Sequence, residues 1–221
     1  YSFRLCLLMK KLFILKSKMD KKLKKSRKNK DYIEIYGFHA VQAALKNKLR
    51  KHSKLTISSN IFYKLSQNLK HKVNRIITLS NRDFCKIYGN DKNHQGIVLE
   101  TSKLVQPSLD SIIKKTNDKK TDIIIMLDRV TDPNNIGSIM RSCALFNCNS
   151  IIIGKDNSPD ITSSMIKAAS GAIEVVNYIK VTNISRAIDK FKKNNYWVFG
   201  FDNNYNYINN NLKLPKKCLL I

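Results

Sequence analysis

The most informative residues lie just past the apolar run Ile123–Leu127, where polar side chains follow in an order that suits anion binding. Asp132–Asn135 reads Asp-Pro-Asn-Asn, and Arg141 comes six residues after Asn135. Asp and Asn favour turns and helix starts, and the free backbone N–H groups of a helix start attract phosphate. An arginine can also hold a phosphate through two parallel hydrogen bonds. The pattern therefore predicts a site for a phosphorylated ligand at the end of a strand.

Motifs for the more common nucleotide and metal sites are absent from this sequence. A dinucleotide-binding turn would carry Gly-x-Gly-x-x-Gly, but the segment holds only Gly137, and no P-loop sequence is present. The five cysteines and four histidines show no spacing typical of a metal site.

Two simpler interpretations of the polar segment stay open, because Asn135 could be only a helix cap and Arg141 only half of a surface salt bridge.

The overall charge indicates a polyanionic partner. Lys and Arg total 41 against 16 Asp and Glu, which gives a net charge of +25. A field of that sign attracts nucleic acid or an anionic membrane surface. The alternative is a Lys-rich composition inherited from an AT-rich genome. No apolar run reaches the ~20 residues that cross a bilayer, so we expect no membrane-spanning segment, while the charge alone leaves nucleic acid and an anionic membrane surface both open.

Residues 1–31 form a basic leader that has no acidic residue before Asp20. It could be a transit peptide, or translated sequence upstream of a true start at Met19, in which case it is not native to the protein. The scattered cysteines predict reduced thiols, so we expect a cytoplasmic protein, or an organellar one if the leader is a transit peptide.

Alternating strand and helix patterns predict an α/β fold in two parts. Residues 32–103 form a small α/β domain, residues 104–121 a linker, and residues 122–221 a domain with a parallel sheet. In the first part we predict strands Ile33–Tyr36, Val73–Leu79 and Ile97–Glu100, and helices His39–Leu49 and Ile61–Leu69. In the second part we predict strands Ile123–Leu127, Ile151–Ile153, Ile173–Tyr178, Tyr196–Phe201 and Cys218–Ile221, and helices Ile136–Phe146, Ser163–Ala169 and Ile184–Lys193.

The segment LDRVTDPNNIGSIMRSCALF, which contains Asn135 and Arg141, resembles the first signature motif of the SpoU (TrmH-like) RNA 2′-O-ribose methyltransferases. This family belongs to the knotted SPOUT superfamily. Residues 36–41 (YGFHAV) and 94–97 (HQGI) are similar to the opening and closing signatures of the family's substrate-binding domain. Residues 169–172 (ASGA) with Glu174 resemble the segment that follows the first motif.

The resemblance implies an L30e-like RNA-binding domain joined to a SPOUT methyltransferase domain. It implies transfer of a methyl group from S-adenosyl-L-methionine to a ribose 2′-hydroxyl of structured RNA, with ribosomal RNA as the expected substrate. The expected enzyme is a homodimer that uses no metal and has no membrane partner. Asn135 and Arg141 match the family's asparagine and catalytic arginine, and Gly200 and Phe201 are candidates for the cofactor site. His39 and His94 are interpreted as structural or RNA-contacting residues. A guanidinium loses its proton only about six pH units above neutrality, at a cost of roughly 8 kcal/mol at pH 7, so we expect Arg141 to act in its charged form.

Two further family motifs, which form the knot and most of the cofactor site, are expected after Ile221. We therefore expect the SPOUT domain to be incomplete in the chain as written, and this chain to be inactive. The alternatives to an enzyme are a non-catalytic RNA-binding protein and a decayed gene fragment of the same family. Which RNA and which nucleotide are methylated is not encoded in these motifs.

Overall fold

The computed structural model describes residues 31–89, 94–116, 121–156, 158–201 and 215–221. The first part of the chain forms a four-stranded sheet with strand order β1-β4-β2-β3. Strand β2 lies parallel to β3 and antiparallel to β4. The strands are β1 (Tyr32–Tyr36), β2 (His52–Ser58), β3 (Arg75–Leu79) and β4 (Ile97–Ser102), and the helices are α1 (Phe38–Lys46), α2 (Ser59–Phe62), α3 (Gln67–Lys70) and α4 (Asn81–Tyr88).

Helix α1 packs on this sheet through the apolar positions that the sequence predicted. Val41, Ala44 and Leu45 are fully buried. The predicted end at Leu49 was wrong, because Asn47 leaves the helical conformation while its N–H still bonds the carbonyls of Ala43 and Ala44. Leu49 is consequently 82% exposed.

Two other predictions for the first part need correction. Strand β2 was not predicted, although it pairs with both β3 and β4. The predicted helix Ile61–Leu69 is instead two short helices, α2 and α3, because the chain turns between Phe62 and Gln67. Strands β1, β3 and β4 lie where the sequence predicted them, with bounds that differ by two residues or fewer.

The second part of the chain forms a five-stranded sheet with strand order β7-β6-β5-β9-β8, and every pairing in it is parallel. All carboxyl ends therefore lie at one edge. Its strands are β5 (Asp122–Leu127), β6 (Ser150–Gly154), β7 (Asn177–Val181), β8 (Trp197–Phe199) and β9 (Lys217–Leu220), and its helices are α5 (Leu109–Thr116), α6 (Pro133–Leu145), α7 (Ser163–Ala168), a 3-10 turn (Ala172–Glu174) and α8 (Ile184–Lys193).

The continuous apolar runs predicted this sheet well, and the exceptions have local causes. The predicted extended segment Ile173–Tyr178 was wrong at its start, because Gly171, at φ +98°, turns the chain into the 3-10 helix, and β7 begins only at Asn177. Helix α6 ends at Leu145, which leaves Phe146 77% exposed where the spacing predicted an inward side chain.

Helix α5 lies within residues 104–121, for which the sequence predicted a linker and no helix. Its Ile112 and Ile113 are buried in one apolar cluster with Ile124 and Met126 of β5. The domain bounds themselves stay a prediction.

A single apolar cluster joins the first sheet to helices of the second part, so residues from Ile33 onward form one compact unit. Ile35 and Leu45 belong to the same cluster as Met140 and Met165. None of the helices within the described ranges is both long and apolar enough to cross a membrane.

Candidate active site at the start of helix α6

The segment that follows β5 turns sharply into α6 at the carboxyl edge of the parallel sheet. Asp132 caps the helix, because its carboxylate accepts a hydrogen bond of 3.0 Å from the backbone N–H of Asn134. Pro133 occupies the first helical turn, where its missing N–H leaves nothing unsatisfied. The predicted turn and cap are confirmed, with the correction that Asp132, and not Asn135, is the cap.

Asn135 and Arg141 both project from α6 into solvent. Within the described ranges, neither side chain takes part in a hydrogen bond or an ion pair. The simpler interpretation of Arg141 as half of a surface salt bridge therefore finds no partner in the described part of the chain. The two residues are six positions apart, so they are separated by about 9 Å along the helix axis and by roughly a third of a turn around it. A ligand that contacts both must wrap around this face of α6.

The opposite face of α6 explains why these two side chains point outward. Ile136 and Met140 are fully buried against the rest of the protein. Gly137 allows α6 to approach α7 closely, since a Cβ at this position would lie 2.6 Å from the Ala168 Cβ and 2.6 Å from the Met165 carbonyl oxygen. Packing thus fixes the rotation of α6 and turns Asn135 and Arg141 away from the core.

Gly200 and Phe201 continue β8 at the same edge of the sheet. The Phe199 carbonyl accepts a bond of 2.8 Å from Ile221 N–H, and Phe201 N–H donates one of 2.8 Å to the Ile221 carbonyl. Two strand spacings, about 10 Å, separate β8 from β5 across the sheet. The Phe201 ring is 77% exposed, and a Cβ on Gly200 would meet nothing within 4 Å. The space beside these residues is therefore open to a ligand.

The histidines singled out from the sequence belong to the first part of the chain. His94 uses both ring nitrogens within the first sheet, since Nδ1 accepts from Gly96 N–H at 3.0 Å and Nε2 donates to the Gly89 carbonyl at 3.1 Å. Its ring also packs against Phe84, with centroids 4.7 Å apart. These contacts support the structural interpretation of His94. His39 is exposed on α1, with its ring edge against Phe38.

The two signatures of the first part meet in space. Phe38 N–H donates a 2.7 Å hydrogen bond to the Gln95 side-chain oxygen, across 57 residues of sequence. Gly37 lies close to both Gln95 and Lys167 of α7, since a Cβ there would be 3.5 Å and 3.6 Å from their side chains. Both signatures therefore lie at the contact between the first sheet and α7.

Sequence reasoning missed the most heavily bonded polar pair in the described ranges. Arg50 was not singled out, and Glu174 was noted only as part of a resemblance, yet their side chains form a buried ion pair across 124 residues. The sequence carried no signal for this pair, because neither residue has a motif or spacing that names its partner.

The four cysteines that the structure describes form no disulfide. Cys85, Cys143, Cys148 and Cys218 are free thiols. Burial raises the pKa of Cys143 to about 12, so it stays protonated and unreactive near neutral pH. Within the described ranges, no group of three or more His, Cys, Asp or Glu side chains is arranged to hold a metal ion.

Comparison with known proteins identifies the family and relatives that this chain resembles. The sequence profile of the SpoU rRNA Methylase family matches residues 122–221, and the profile for RNA 2'-O ribose methyltransferase substrate binding matches residues 35–107. The chain is 34% identical over 172 residues to the 23S rRNA (guanosine-2'-O-)-methyltransferase RlmB of Coxiella burnetii, with 75% of this chain and 68% of that protein covered. It is 30% identical to an uncharacterized tRNA/rRNA methyltransferase of Synechocystis, with 75% of this chain and 44% of that protein covered.

The fold likewise resembles a solved methyltransferase. The AdoMet-bound rRNA methyltransferase from Sinorhizobium meliloti aligns with a TM-score of 0.66 at 18% identity, covering 89% of this chain and 72% of that one. The predicted fold class, a small α/β sheet followed by a parallel sheet of the SPOUT type, is confirmed.

Proposed function

The chain belongs to the SpoU rRNA methylase family, and on that premise we propose that the protein transfers a methyl group from S-adenosyl-L-methionine to a ribose 2′-hydroxyl of structured RNA. Ribosomal RNA is the first candidate substrate, because the Coxiella relative is described as a 23S rRNA methyltransferase. The chain covers 68% of that relative and 44% of the Synechocystis one, so it spans only part of the length of these relatives, and its activity, substrate and partners are proposals.

The observation that carries the proposal is Arg141, which is exposed and has no ion-pair partner in the described part of the chain, on a helix that starts at the carboxyl edge of a parallel sheet. Ligands of open α/β sheets bind at that edge. A charged guanidinium without a protein partner can hold the phosphate beside the target nucleotide and stabilise the negative charge that develops on the 2′-oxygen. The amide of Asn135, about one and two-thirds turns earlier, can orient the same ribose by hydrogen bonding.

The residues of β8 are compatible with the methyl donor. Gly200 leaves open space and Phe201 presents an exposed ring, so these residues would hold the adenosine part of S-adenosyl-L-methionine. When bound, the donor would supply an electrophilic methyl group to the 2′-oxygen, and its sulfur would retain the electron pair of the broken carbon–sulfur bond. The hydroxyl proton leaves to water or to a neighbouring group while Arg141 stabilises the oxyanion.

The first sheet supplies a basic surface for the RNA. Its exposed cations are Lys46, Lys48, Lys51, Lys64, Lys72, Arg75, Arg82 and Lys86. Binding that neutralises several phosphates should weaken steeply as salt concentration rises. An affinity for RNA that does not change between low and physiological salt would argue against this surface as the RNA contact.

We extend the proposal to a homodimer, which the family resemblance implies. Leu145 and Phe146, at the end of α6, are 78% and 77% exposed, and exposed apolar side chains of this kind are typical of association surfaces. Sedimentation of the whole protein tests this, and a Phe146→Asp variant should shift the protein toward the monomer.

A methyl-transfer assay tests the proposed function. The whole protein is incubated with ribosomal RNA and S-adenosyl-L-methionine that carries a tritiated methyl group, and the RNA is then hydrolysed in alkali. A 2′-O-methyl group blocks cleavage at its own position, so we expect the label in alkali-resistant dinucleotides. Label in single nucleotides would indicate base methylation and would refute the proposal, and RNA binding without label would favour a binding protein. A polypeptide that ends at Ile221, run alongside, decides whether it is inactive as the sequence analysis expects.

A further inference from the structure

Arg50 and Glu174 form a buried ion pair with almost every polar atom satisfied. Arg50 Nε and Nη2 donate to the two carboxylate oxygens of Glu174 at 2.8 Å each, and Nη1 donates to the Ser102 carbonyl at 2.6 Å. Glu174 also accepts a 2.7 Å bond from the Asn47 side-chain amide. The two ion-paired side chains are only 1% and 5% exposed.

The partners of this pair come from both parts of the protein. Asn47 follows α1, Arg50 precedes β2, and Ser102 ends β4, so three segments of the first part of the chain supply the hydrogen bonds around the ion pair. Glu174 ends the 3-10 turn that precedes β7 of the second sheet. The ion pair therefore joins the two sheets at one buried point.

Two further contacts fasten the segment 163–174 to the first sheet. A Cβ on Gly171 would lie 2.6 Å from the Ala43 Cβ, so the 3-10 turn touches α1 directly. Ser163 Oγ donates a 2.7 Å hydrogen bond to the carbonyl of Glu34 in β1. The same segment carries α7, on which α6 packs through Gly137. A continuous path of contacts thus runs from the first sheet through 163–174 to the helix that carries Arg141.

A buried ion pair adds little net stability compared with apolar residues of equal size, because removing both charges from water is costly. Removing one partner is nevertheless costly, because it leaves the other charge buried and unpaired. Bidentate contacts at 2.8 Å also allow one orientation of the two planar groups. Such a pair is better suited to fixing the arrangement of the two sheets than to adding stability.

We propose that Arg50 and Glu174 are positioning residues that hold the basic first sheet at a fixed orientation to α6, so that RNA bound by that sheet presents its target ribose to Arg141. The structural half of this inference stands on the contacts above, and the catalytic half rests on the proposed function. RNA binding itself uses exposed cations that the pair does not touch. Loss of the pair should therefore lower kcat more than it weakens RNA binding.

The chain offers a matched control. Lys54 and Glu100 form an ion pair of 3.0 Å with side chains 13% and 16% exposed, but both residues belong to the first sheet. Glu100→Gln removes a shielded charge without touching the contact between the sheets. Glu174→Gln removes a charge from that contact while keeping the side chain's size.

The orientation is measured first, as the distance between spin labels on unnatural amino acids at the exposed positions Arg75 and Lys193. Wild type and Glu100→Gln should give one narrow distance, whereas Glu174→Gln and Arg50→Lys should give a broadened or second distance. Asn47→Ala, which removes one hydrogen bond to Glu174, should give a smaller change of the same kind if the other variants unfold. Narrow, unchanged distances in all of these folded variants would overturn the proposal.

Methyl transfer is then measured well below the melting temperature of each variant. We expect Glu174→Gln to lower kcat about tenfold to 10²-fold, the loss typical of a misplaced reacting group, with near-normal affinity for RNA and S-adenosyl-L-methionine. Glu100→Gln should stay within about twofold of wild type. An unchanged kcat in Glu174→Gln would overturn the catalytic half. A wild-type protein with a narrow distance but no transfer would instead refute the proposed function and leave the positioning of the sheets established.

Discussion

Two arginines in this protein have opposite surroundings. Arg50 is 5% exposed and donates to the Glu174 carboxylate and to the Ser102 backbone carbonyl. Arg141 projects from α6 into solvent and has no hydrogen-bonding or ion-pair partner within the described ranges. All three guanidinium nitrogens of Arg50 donate hydrogen bonds inside the folded chain, whereas within the described ranges the guanidinium of Arg141 is available to a ligand. The comparison separates a residue that maintains the arrangement from one available for chemistry.

The largest expected effect is the loss of stability when Arg50 is replaced. Arg50→Ala leaves the Glu174 carboxylate buried without its cation, so the free energy of unfolding should fall by about 3–5 kcal/mol. Urea titration followed by circular dichroism measures this change. Arg186→Ala, at an exposed position on α8, should shift it by less than about 0.5 kcal/mol. Equal effects of the two substitutions would remove the distinction between buried and exposed arginines.

Arg141→Ala should leave stability nearly unchanged and should strongly lower methyl transfer. The unfolding free energy should change by less than about 0.5 kcal/mol, since the side chain is exposed and makes no hydrogen bond or ion pair within the described ranges. Methyl transfer by the whole protein should fall by about 10²–10³-fold, the loss typical when one group that stabilises an oxyanion is removed. Affinity for S-adenosyl-L-methionine, measured by calorimetry, should be spared. A large loss of donor affinity would mean that Arg141 binds the donor and not the RNA.

A smaller effect is expected where the 3-10 turn touches α1. Gly171 has φ +98°, and an added Cβ would lie 2.6 Å from the Ala43 Cβ, so Gly171→Ala combines backbone strain with a steric clash. We expect a loss of about 1–3 kcal/mol in stability. Gly89→Ala is the control, because Gly89 has φ +82° but open space around its Cβ position, which isolates the strain. If both variants lose the same stability, the close approach of the turn to α1 does not contribute to the loss in Gly171→Ala.

The smallest effect concerns pH and His52. Burial, reinforced by the nearby charge of Arg50, lowers the pKa of His52 below its usual value of 6.5. Its Nδ1–H donates to Thr101 Oγ1 at 3.1 Å, and Thr101 in turn donates to the Lys51 carbonyl. Above pH 6.5 the imidazole is neutral in both the folded and unfolded states, so its contribution to stability is complete.

Below pH 6.5 the unfolded chain takes up a proton at His52 more readily than the folded protein, so stability should be lost as the pH falls through the folded-state pKa. Urea titrations between pH 5 and pH 8 should show this slope in the wild type and a weaker slope in His52→Gln. Parallel pH profiles for the two proteins would show that His52 is not the group responsible.

The sequence predicted an extended segment overlapping each strand of the second sheet but missed β2 of the first sheet, and the residues explain why. Strand β5 contains Ile123–Leu127, a continuous apolar run typical of a strand buried on both faces. Strand β2 contains His52, Ser53 and Lys54 and has no such run, so its extended form depends on pairing with β3 and β4. That pairing comes from distant segments, which a local pattern does not reveal.

Only part of the candidate site was predictable from the sequence. Asn135 and Arg141 stood in a motif of fixed spacing, and the structure turns both to the surface, while their chemical roles stay proposals. The Arg50–Glu174 pair was not predictable, because two charged residues 124 positions apart have no sequence pattern that links them. Identifying it required the folded chain.

The most direct test of the central claim, that Arg141 acts through a planar, charged guanidinium, is the single-turnover rate of Arg141→Lys at saturating RNA and S-adenosyl-L-methionine. Lysine keeps the charge but loses the two-pronged hydrogen bonding. With Arg186→Lys as the matched control at the wild-type rate, we predict that Arg141→Lys transfers methyl groups at about one hundredth of that rate or less. A near-normal rate for Arg141→Lys would contradict the assignment of Arg141 to the phosphate and the 2′-oxyanion.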